Sequence, residues 1–137
     1  MTENRPNVLY DAGSELWIMQ DEYYDRTAKI IIPKGFRCDL ASVPRILWPI
    51  IAPFELSESA PLVHDYLYRN AGLEVQTWSF PEYQDGKRYF PKKYADTLFR
   101  TIMIREKVPA WKAAVAYYAV KWFAKGVWRK RLQANGK

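Results

Sequence analysis

The chain has 137 residues, a length that fits one domain (residues 1–137) with a core that needs no disulfides. Its one cysteine, Cys38, excludes an internal disulfide and a multi-cysteine zinc site. The net charge of +6 favours anionic partners, such as phospholipid or nucleic acid. Residues 1–15 lack the apolar core of a signal peptide, and the longest apolar run, residues 113–120, is too short to cross a membrane.

The first predicted elements are two short segments rich in β-forming residues. Residues 16–20 (LWIMQ) and 28–32 (AKIII) are separated by a polar stretch, and we predict that they pair as a hairpin. Residues 33–35 (PKG) combine proline and glycine in the manner of a turn, and residues 36–39 are expected to resume as extended chain.

A proline-rich loop leads into the first predicted helix. Residues 41–54 contain three prolines and are expected to form an ordered loop anchored by aromatic residues. The helix is predicted to begin at Ser59 as N-cap, to hold Pro61 in its first turn and to end near Gly72. Residues 73–90 are either a β-hairpin around the Asp-Gly pair at 85–86 or an aromatic loop.

Two further helices complete the predicted fold. Pro91 suits the first position of a helix with apolar residues at three- and four-residue spacing, and Pro109 separates it from a third helix over residues 110–132. The first half of that third helix is predicted to be core, and its basic, aromatic second half to lie at the surface. The fold class is therefore predicted as α+β, with a small N-terminal β-hairpin or sheet packed on a three-helix core.

Two polar residues fall on helix faces that are otherwise built for burial. At about 100° per residue, His64 lies on the same face as Leu67 and Tyr68, and Asp96 lies on the same face as Phe99 and Met103. A buried carboxylate needs a partner, so we expect His64 and Asp96 to meet. Such a pair either satisfies two core residues or orients a general base, because a carboxylate on one imidazole nitrogen leaves the other nitrogen to take a proton.

Nearby polar residues have both a functional and a structural interpretation. Asp65, with Asp39 from the loop, has the oxygen ligands that suit calcium, or it forms an ion pair with Arg45, Arg69 or Arg100. Asp39 and Ser42 also suit turn and capping roles. Ser42 as a nucleophile is disfavoured, because its surroundings (DLASVP) lack the G-x-S-x-G elbow.

The run GFRCDLASVPRILW at residues 35–48, followed by VHDYLYR and ADTLF, carries a first resemblance. It resembles a phage and prophage family of uncharacterised proteins whose hallmark is G-F-x-T-D-L-A-S-V-P-R with a later H-D-x-L-Y. The similarity covers roughly residues 30–121 and departs from the hallmark at Cys38, where the family usually has threonine. It implies a phage setting, in the bacterial host cytoplasm or in the virion, and a similar fold, but no reaction.

A shorter resemblance concerns chemistry. H-D-x-x-Y on one helix with A-D on the next is similar to secreted and parvoviral phospholipases of the A-two class, although the glycine-rich calcium loop of those enzymes has no counterpart in this sequence. The resemblance implies His64 as base, Asp96 as its orienting carboxylate, Asp65 as calcium ligand and Tyr68 as a supporting residue.

These observations support two main hypotheses. The first is a metal-dependent hydrolase of acyl esters in phospholipid, acting in phage lysis or entry, with a basic aromatic helix end suited to an anionic membrane. The second is a non-catalytic virion, tail-associated or accessory protein that binds a phage structural protein, in which the polar residues, with Ser42 and Arg45, lock a loop onto the helices. The basic end is then a solvated helix terminus. Nucleic-acid binding is disfavoured, since no nucleic-acid motif is present.

Overall fold

The computed structural model describes residues 6–14, 16–38, 59–73, 80–86 and 89–136. Within these residues, five short strands come first and the helices follow, so the fold class is α+β as predicted. The strands are β1 (Val8–Asp11), β2 (Leu16–Met19), β3 (Tyr23–Asp25), β4 (Ile30–Ile32) and β5 (Arg37–Cys38). The α-helices are α1 (Ala60–Arg69), α2 (Lys92–Arg105), α3 (Ala110–Phe123) and α4 (Lys125–Ala134).

The strand pairing differs from the predicted hairpin. Strand β2 lies between β1 and β5 in an antiparallel sheet, whereas β4 pairs with β3 in a separate two-stranded sheet. The predicted pairing of residues 16–20 with residues 28–32 is therefore wrong. The reason lies in the residues between these two segments. They form β3, two of whose side chains are buried, and a tight turn to β4 in which the carboxylate of Asp25 accepts from the amides of Thr27 and Ala28. Strand β1 lies in the polar lead, where no strand was predicted.

The turn at residues 33–35 is confirmed. Gly35 has a φ of +87°, a conformation that glycine adopts without a steric penalty, and its amide donates to Met19 O at 2.9 Å. Met19 N in turn donates to Phe36 O at 2.9 Å. These two bonds bring β5 back beside β2, and the extended chain predicted from residue 36 is present at Arg37–Cys38.

Helix α1 begins where the sequence predicted, but the Ser59 side chain bonds to another element of the fold. Ser59 occupies the N-cap position and Pro61 lies in the first turn, yet the Ser59 side chain makes no capping bond. Its hydroxyl instead donates to Glu106 Oε2 at 2.6 Å, while Ser59 N donates to Glu106 Oε1 at 3.1 Å. The carboxylate of Glu106, directly after α2, therefore holds the N-cap residue of α1 through its backbone and its side chain together.

The aromatic segment before α2 contains no strand in its described residues. A 3-10 helix spans Pro81–Tyr83, and a turn follows at residues 84–86, where Gly86 has a φ of +75°. Of the two predicted alternatives, the described residues fit the aromatic loop. Phe80 and Tyr83 pack edge to face, and both rings contact Tyr94 of α2.

The third predicted helix is wrong as a single element, because it divides at Ala124 into α3 and α4. Two contacts explain the change of direction. Trp128 of α4 packs against Tyr68 with ring centroids 5.0 Å apart, and Asn135 Nδ2 donates to the carbonyls of Arg69 and Ala71 at the end of α1. The bend thus places α4 against α1 and gives acceptors at a helix end their donors.

The core lies between the sheets and the helices. Helix α1 packs on α2, α2 packs on α3, and β5 contacts α1. The buried apolar residues include Met19, Tyr23, Ile32, Leu62, Leu67, Leu98, Phe99, Ile102 and Met103. Among the described residues, no helix combines the length and the apolar character that crossing a membrane requires.

Candidate functional site

His64 and Asp96 face each other across the packed pair α1 and α2. His64 Nε2 and Asp96 Oδ1 lie 2.8 Å apart, and each residue is only 2% exposed. The sequence predicted this meeting, because helical phase put both side chains on apolar faces. A hydrogen bond between them removes the cost of burying either group alone.

Asp96 accepts hydrogen bonds from three side chains. Besides His64, Tyr68 OH donates to Asp96 Oδ1 at 2.7 Å, and Lys92 Nζ donates to Asp96 Oδ2 at 2.6 Å. The ammonium of Lys92 also donates to the carbonyls of Val120 at 3.0 Å and Lys121 at 3.3 Å. The carboxylate therefore joins α1 and α2, and Lys92 extends the network to the last turn of α3.

The charge state of this network follows from its hydrogen bonds. Burial alone would raise the pKa of Asp96, but the hydrogen bonds from His64, Lys92 and Tyr68 outweigh burial and lower the pKa below its ordinary value. Burial, reinforced by the neighbouring charge of Asp96, strongly raises the pKa of Tyr68. Asp96 is thus an ionised acceptor at neutral pH, and Tyr68 is a neutral donor.

The hydrogen bond to Asp96 also selects the tautomer of the histidine. A carboxylate accepts but does not donate, so Nε2 of His64 carries a proton and the neutral ring keeps its lone pair on Nδ1. Among the described residues, Nδ1 has no hydrogen-bond partner. A buried nitrogen that is ready to accept a proton is what a general base requires.

Aromatic rings enclose the imidazole. The Tyr68 ring centroid lies 4.3 Å from that of His64, and the Phe99 centroid lies at 4.8 Å. Trp128 packs edge to face on Tyr68, with Phe90 behind it at 5.9 Å. These rings exclude water, and a low local dielectric strengthens the interaction of the imidazole with the carboxylate.

Of the two predicted calcium ligands, Asp65 lies within the described residues and Asp39 does not. Asp65 is 3% exposed, and its Oδ2 accepts from Arg69 Nε at 3.2 Å, which confirms one of the three ion pairs suggested for it. Arg100, another suggested partner, lies over the ring of Tyr117 at 5.7 Å. Within the part of the chain that the structure describes, no group of three or more His, Cys, Asp or Glu residues is arranged to hold a metal ion.

Three predicted site residues lie outside the described residues. Asp39, Ser42 and Arg45 all belong to residues 39–58, so their predicted roles remain predictions. The described chain leaves at Cys38 and resumes at Ser59. Cys38 Sγ lies 3.9 Å from Pro61 O, so the described residues Cys38 and Ser59 both lie beside the first turn of the helix that carries His64.

Lys92 is the site residue that the sequence analysis missed. Its position four residues before Asp96 places the two side chains next to each other on one helix, which is the spacing of a stabilising ion pair. The signal was therefore available in the sequence. What it could not supply was the second set of acceptors, the carbonyls at the end of α3.

Comparison with known families agrees with the first resemblance at a coarse level. A family described as "Protein of unknown function (DUF1353)" matches residues 17–120. The chain belongs to this family. No curated protein and no solved structure matched the chain. Membership places the buried His64–Asp96 pair within the matched region, and the reaction has to be argued from the site itself.

Proposed function

We propose that the chain is a hydrolase in which His64 is the general base and Asp96 orients it, with acyl esters of phospholipid as substrate. The observation that carries the proposal is the 2.8 Å contact between His64 Nε2 and Asp96 Oδ1, which leaves the lone pair on Nδ1. Tyr68 supports the carboxylate from the same helix as the histidine, as the similarity to phospholipases implies.

The reaction follows from this geometry. Nδ1 of His64 takes a proton from water as the water oxygen bonds to the ester carbonyl carbon, and the ionised Asp96 stabilises the imidazolium that forms. The tetrahedral intermediate then expels the alcohol, whose oxygen takes the proton back from Nδ1. The products are a carboxylic acid and an alcohol, and the imidazole returns to its starting state.

The proposal includes a calcium ion, and the assay below tests whether hydrolysis depends on it. Asp65 and Asp39 are its proposed ligands, and the ion would polarise the ester carbonyl. The carboxylate of Asp65 is bonded to Arg69, so calcium binding requires exchange of that partner or sharing of the carboxylate. A phage or prophage setting, supported by the motifs at residues 35–48 and 63–69, is also proposed.

The burial of the pair favours a second candidate function. His64 and Asp96 are each 2% exposed, so a substrate reaches Nδ1 only after the neighbouring groups move. In the second candidate, a non-catalytic virion, tail-associated or accessory protein, the same network serves only to hold α1, α2 and α3 together. It then has the role of a satisfied polar cluster in a core.

Hydrolysis of phosphatidylglycerol vesicles separates the two candidates. We expect the wild-type chain to release fatty acid, and His64→Gln and Asp96→Asn to lower the rate by about 10²- to 10⁴-fold, since each removes part of the general base. The assay is run with calcium and with a chelator. Glu82→Gln, an exposed carboxylate on the 3-10 helix, is the control and should keep the full rate.

Circular dichroism and thermal unfolding of each variant establish that the folded protein is being assayed. Absence of hydrolysis by the folded wild-type chain, with calcium and without it, would contradict the hydrolase proposal and favour the structural role. An equal rate in wild type and His64→Gln would exclude His64 as the base.

A further inference from the structure

The positive charge of the chain is concentrated in its last quarter. Residues 107–137 contain eight lysines and arginines and no aspartate or glutamate, whereas residues 1–106 contain 13 basic and 15 acidic residues. The net charge of +6 therefore arises entirely from the segment that forms α3 and α4. A surface of one sign attracts an anionic partner.

Helix α3 has a second apolar face, and the large side chains on that face are exposed. Ala113, Ala116 and Val120 are buried, and they lie on the face toward the core. The opposite face carries Trp111, Val115, Tyr118 and Trp122, all exposed and all within an arc of about 60°. We call these four residues the aromatic stripe.

The stripe differs from scattered surface residues in size and continuity. Trp111 is 61% exposed and Trp122 is 59% exposed, and the ring of Tyr118 packs on that of Trp122 with centroids 5.4 Å apart. Phe123, 62% exposed, adds a large apolar side chain at the end of the helix, about 100° around the axis from Trp122. A contiguous exposed patch of large apolar residues is typical of an interaction site. The part of this helix before Lys121 is predicted from the sequence to be core, which is wrong for Trp111, Val115 and Tyr118, whereas Trp122 lies at the surface as predicted.

Lysines flank the stripe on both sides. By helical phase, Lys112 lies about 100° to one side of Trp111 and Lys121 lies about 80° to the other side. Each ammonium stays close to the stripe, Lys112 at 5.5 Å from the Trp111 ring and Lys121 at 5.6 Å from the Tyr118 ring. Rings in the centre and ammonium groups at the edges form the pattern of a helix that lies in a membrane interface, where aromatic residues enter the headgroup region and lysines reach lipid phosphates.

Charge distinguishes among the partners that could cover this face. A second copy would bring two basic segments together, with no acidic residue in residues 107–137 to pair with them. Nucleic acid would match the charge, but the stripe includes the aliphatic Val115, and the rings of Tyr118 and Trp122 pack on each other instead of offering separate faces on which bases stack. An anionic bilayer matches both the charge and the apolar surface.

We infer that the aromatic stripe with Lys112 and Lys121 is a docking surface for an anionic phospholipid bilayer, on which α3 lies parallel to the membrane. The inference rests on the proposed function in one respect, which is that the docked bilayer contains the phospholipid substrate. The site network also reaches the helix that carries the stripe, because Lys92 donates to the carbonyls of Val120 and Lys121. Docking thus places the network on the core side of α3 and the bilayer on its opposite side.

Vesicle cosedimentation tests the inference without reference to hydrolysis. The wild-type chain is expected to bind vesicles that contain phosphatidylglycerol about tenfold or more tightly than vesicles of phosphatidylcholine alone, and to be released by salt. The double variant Trp111→Ser/Trp122→Ser should weaken binding about tenfold or more, because it removes the two largest exposed apolar groups. Lys112→Gln/Lys121→Gln should weaken binding only to the anionic vesicles.

Two double variants on the sheets are matched controls. Leu9→Ser/Ile31→Ser removes apolar side chains of similar exposure, 62% and 53%, and Lys34→Gln/Arg37→Gln removes two exposed cations. Both are expected to bind vesicles as wild type does. If the control variants weaken vesicle binding as much as the stripe variants do, the loss of binding is not specific to the stripe and the inference fails.

Other outcomes are equally decisive. Tighter binding of a single-stranded oligonucleotide than of anionic vesicles, lost in the stripe variants, would overturn the inference in favour of nucleic acid. A dimer in sedimentation analysis that the Trp111→Ser/Trp122→Ser variant disrupts would overturn it in favour of a second copy. Vesicle binding that persists in His64→Gln supports the inference even if no hydrolysis is found, so failure of the proposed function is distinguishable from failure of the docking surface.

Discussion

Two buried carboxylates, Asp25 and Asp96, organise two different regions of the molecule. Asp25 is fully buried where β3 and β4 meet the end of α2, and its oxygens accept from the Thr27 and Ala28 amides, from Tyr23 OH and from Arg105. Asp96 lies among the helices and accepts from His64, Tyr68 and Lys92. Both carboxylates have several donors, which is what burial of a charge requires.

The partners of the two carboxylates differ in what they can do. Around Asp25 the donors are two backbone amides, a guanidinium that stays charged and a tyrosine whose pKa burial raises to about 12. None of these groups exchanges a proton readily near neutral pH. Around Asp96 one partner is an imidazole, which does. The Asp25 network therefore holds the sheet to α2, and the Asp96 network has the composition of a site.

Removal of Asp25 is expected to have the largest effect on stability. Asp25→Ala removes the buried carboxylate that pairs with Arg105 and that accepts from the turn between β3 and β4. Arg105 then keeps the longer 3.4 Å contact with Glu106, so the free energy of unfolding should fall by about 3–5 kcal/mol. Urea unfolding measures this loss. The exposed Asp11, which accepts from Ser14 Oγ at 2.6 Å, is the matched control, and Asp11→Ala should leave the unfolding midpoint almost unchanged.

The Asp25→Ala variant also tests whether the Asp25 and Asp96 networks differ in function. Among molecules that remain folded, Asp25→Ala should hydrolyse phospholipid at the wild-type rate, whereas Asp96→Asn should not. If both variants lose hydrolysis equally, the division into a structural and a chemical network is wrong.

Loss of Lys92 is expected to have an intermediate effect. Lys92→Met removes the 2.6 Å donor of Asp96 Oδ2 and the donor to two carbonyls of α3, at a position where the lysine side chain is 18% exposed. Partial exposure reduces the penalty, so the free energy of unfolding should fall by about 2 kcal/mol.

A neighbouring lysine provides the control for that experiment. Lys93 lies on the same helix and is exposed, with its ammonium 5.8 Å from the Tyr83 ring. Lys93→Met should change stability by less than about 0.5 kcal/mol. Equal losses of unfolding free energy in the two variants would mean that Lys92 stabilises the fold only through its positive charge and not through its hydrogen bonds.

The smallest expected effect is on the acid dependence of stability. The pKa of Asp96 is lower in the folded chain than its ordinary value of 3.8, so the unfolded state takes up the proton first as pH falls. The contribution of Asp96 is therefore complete above about pH 5 and is lost as pH falls through 3.8 toward the folded pKa. Between those two pKa values the slope due to Asp96 is at most about 1.4 kcal/mol per pH unit.

Urea unfolding from pH 6 to pH 3 measures this slope. Asp96→Asn should have a flatter acid limb than wild type, and Asp85→Asn, which removes an exposed carboxylate of the turn at residues 84–86, should run parallel to wild type. An Asp96→Asn curve parallel to wild type would show that Asp96 titrates alike in the folded and unfolded chains.

Helical elements and the central pair of the site were accessible from the sequence. Proline positions and apolar spacing placed α1 and α2, and the fixed rotation of about 100° per residue put His64 and Asp96 on buried faces. The strands were less accessible, because segments of two to four residues carry little periodicity. Their pairing was decided by contacts such as that between Gly35 N and Met19 O, which no local pattern encodes.

Helix α3 shows where sequence reasoning reaches its limit. Its apolar residues surround the axis, so hydrophobic pattern alone assigned its first half to the core. Only packing against α2 and α4 decided that the alanine face is covered and that Trp111, Val115 and Tyr118 are exposed, whereas the exposure of Trp122 in the basic second half was predicted. The division at Ala124 was likewise decided by contacts of Trp128 and Asn135 with α1.

The sequence by itself determined the α+β class, the family and the two polar residues that had to find each other. These depend on local spacing and on the cost of burying a charge, both of which are properties of residue type and position. The tertiary structure decided which strands pair, which face of α3 meets solvent, and that Lys92 links the site to α3. These depend on contacts between residues far apart in the chain, where several partners satisfy the same local pattern and only the packed arrangement selects one.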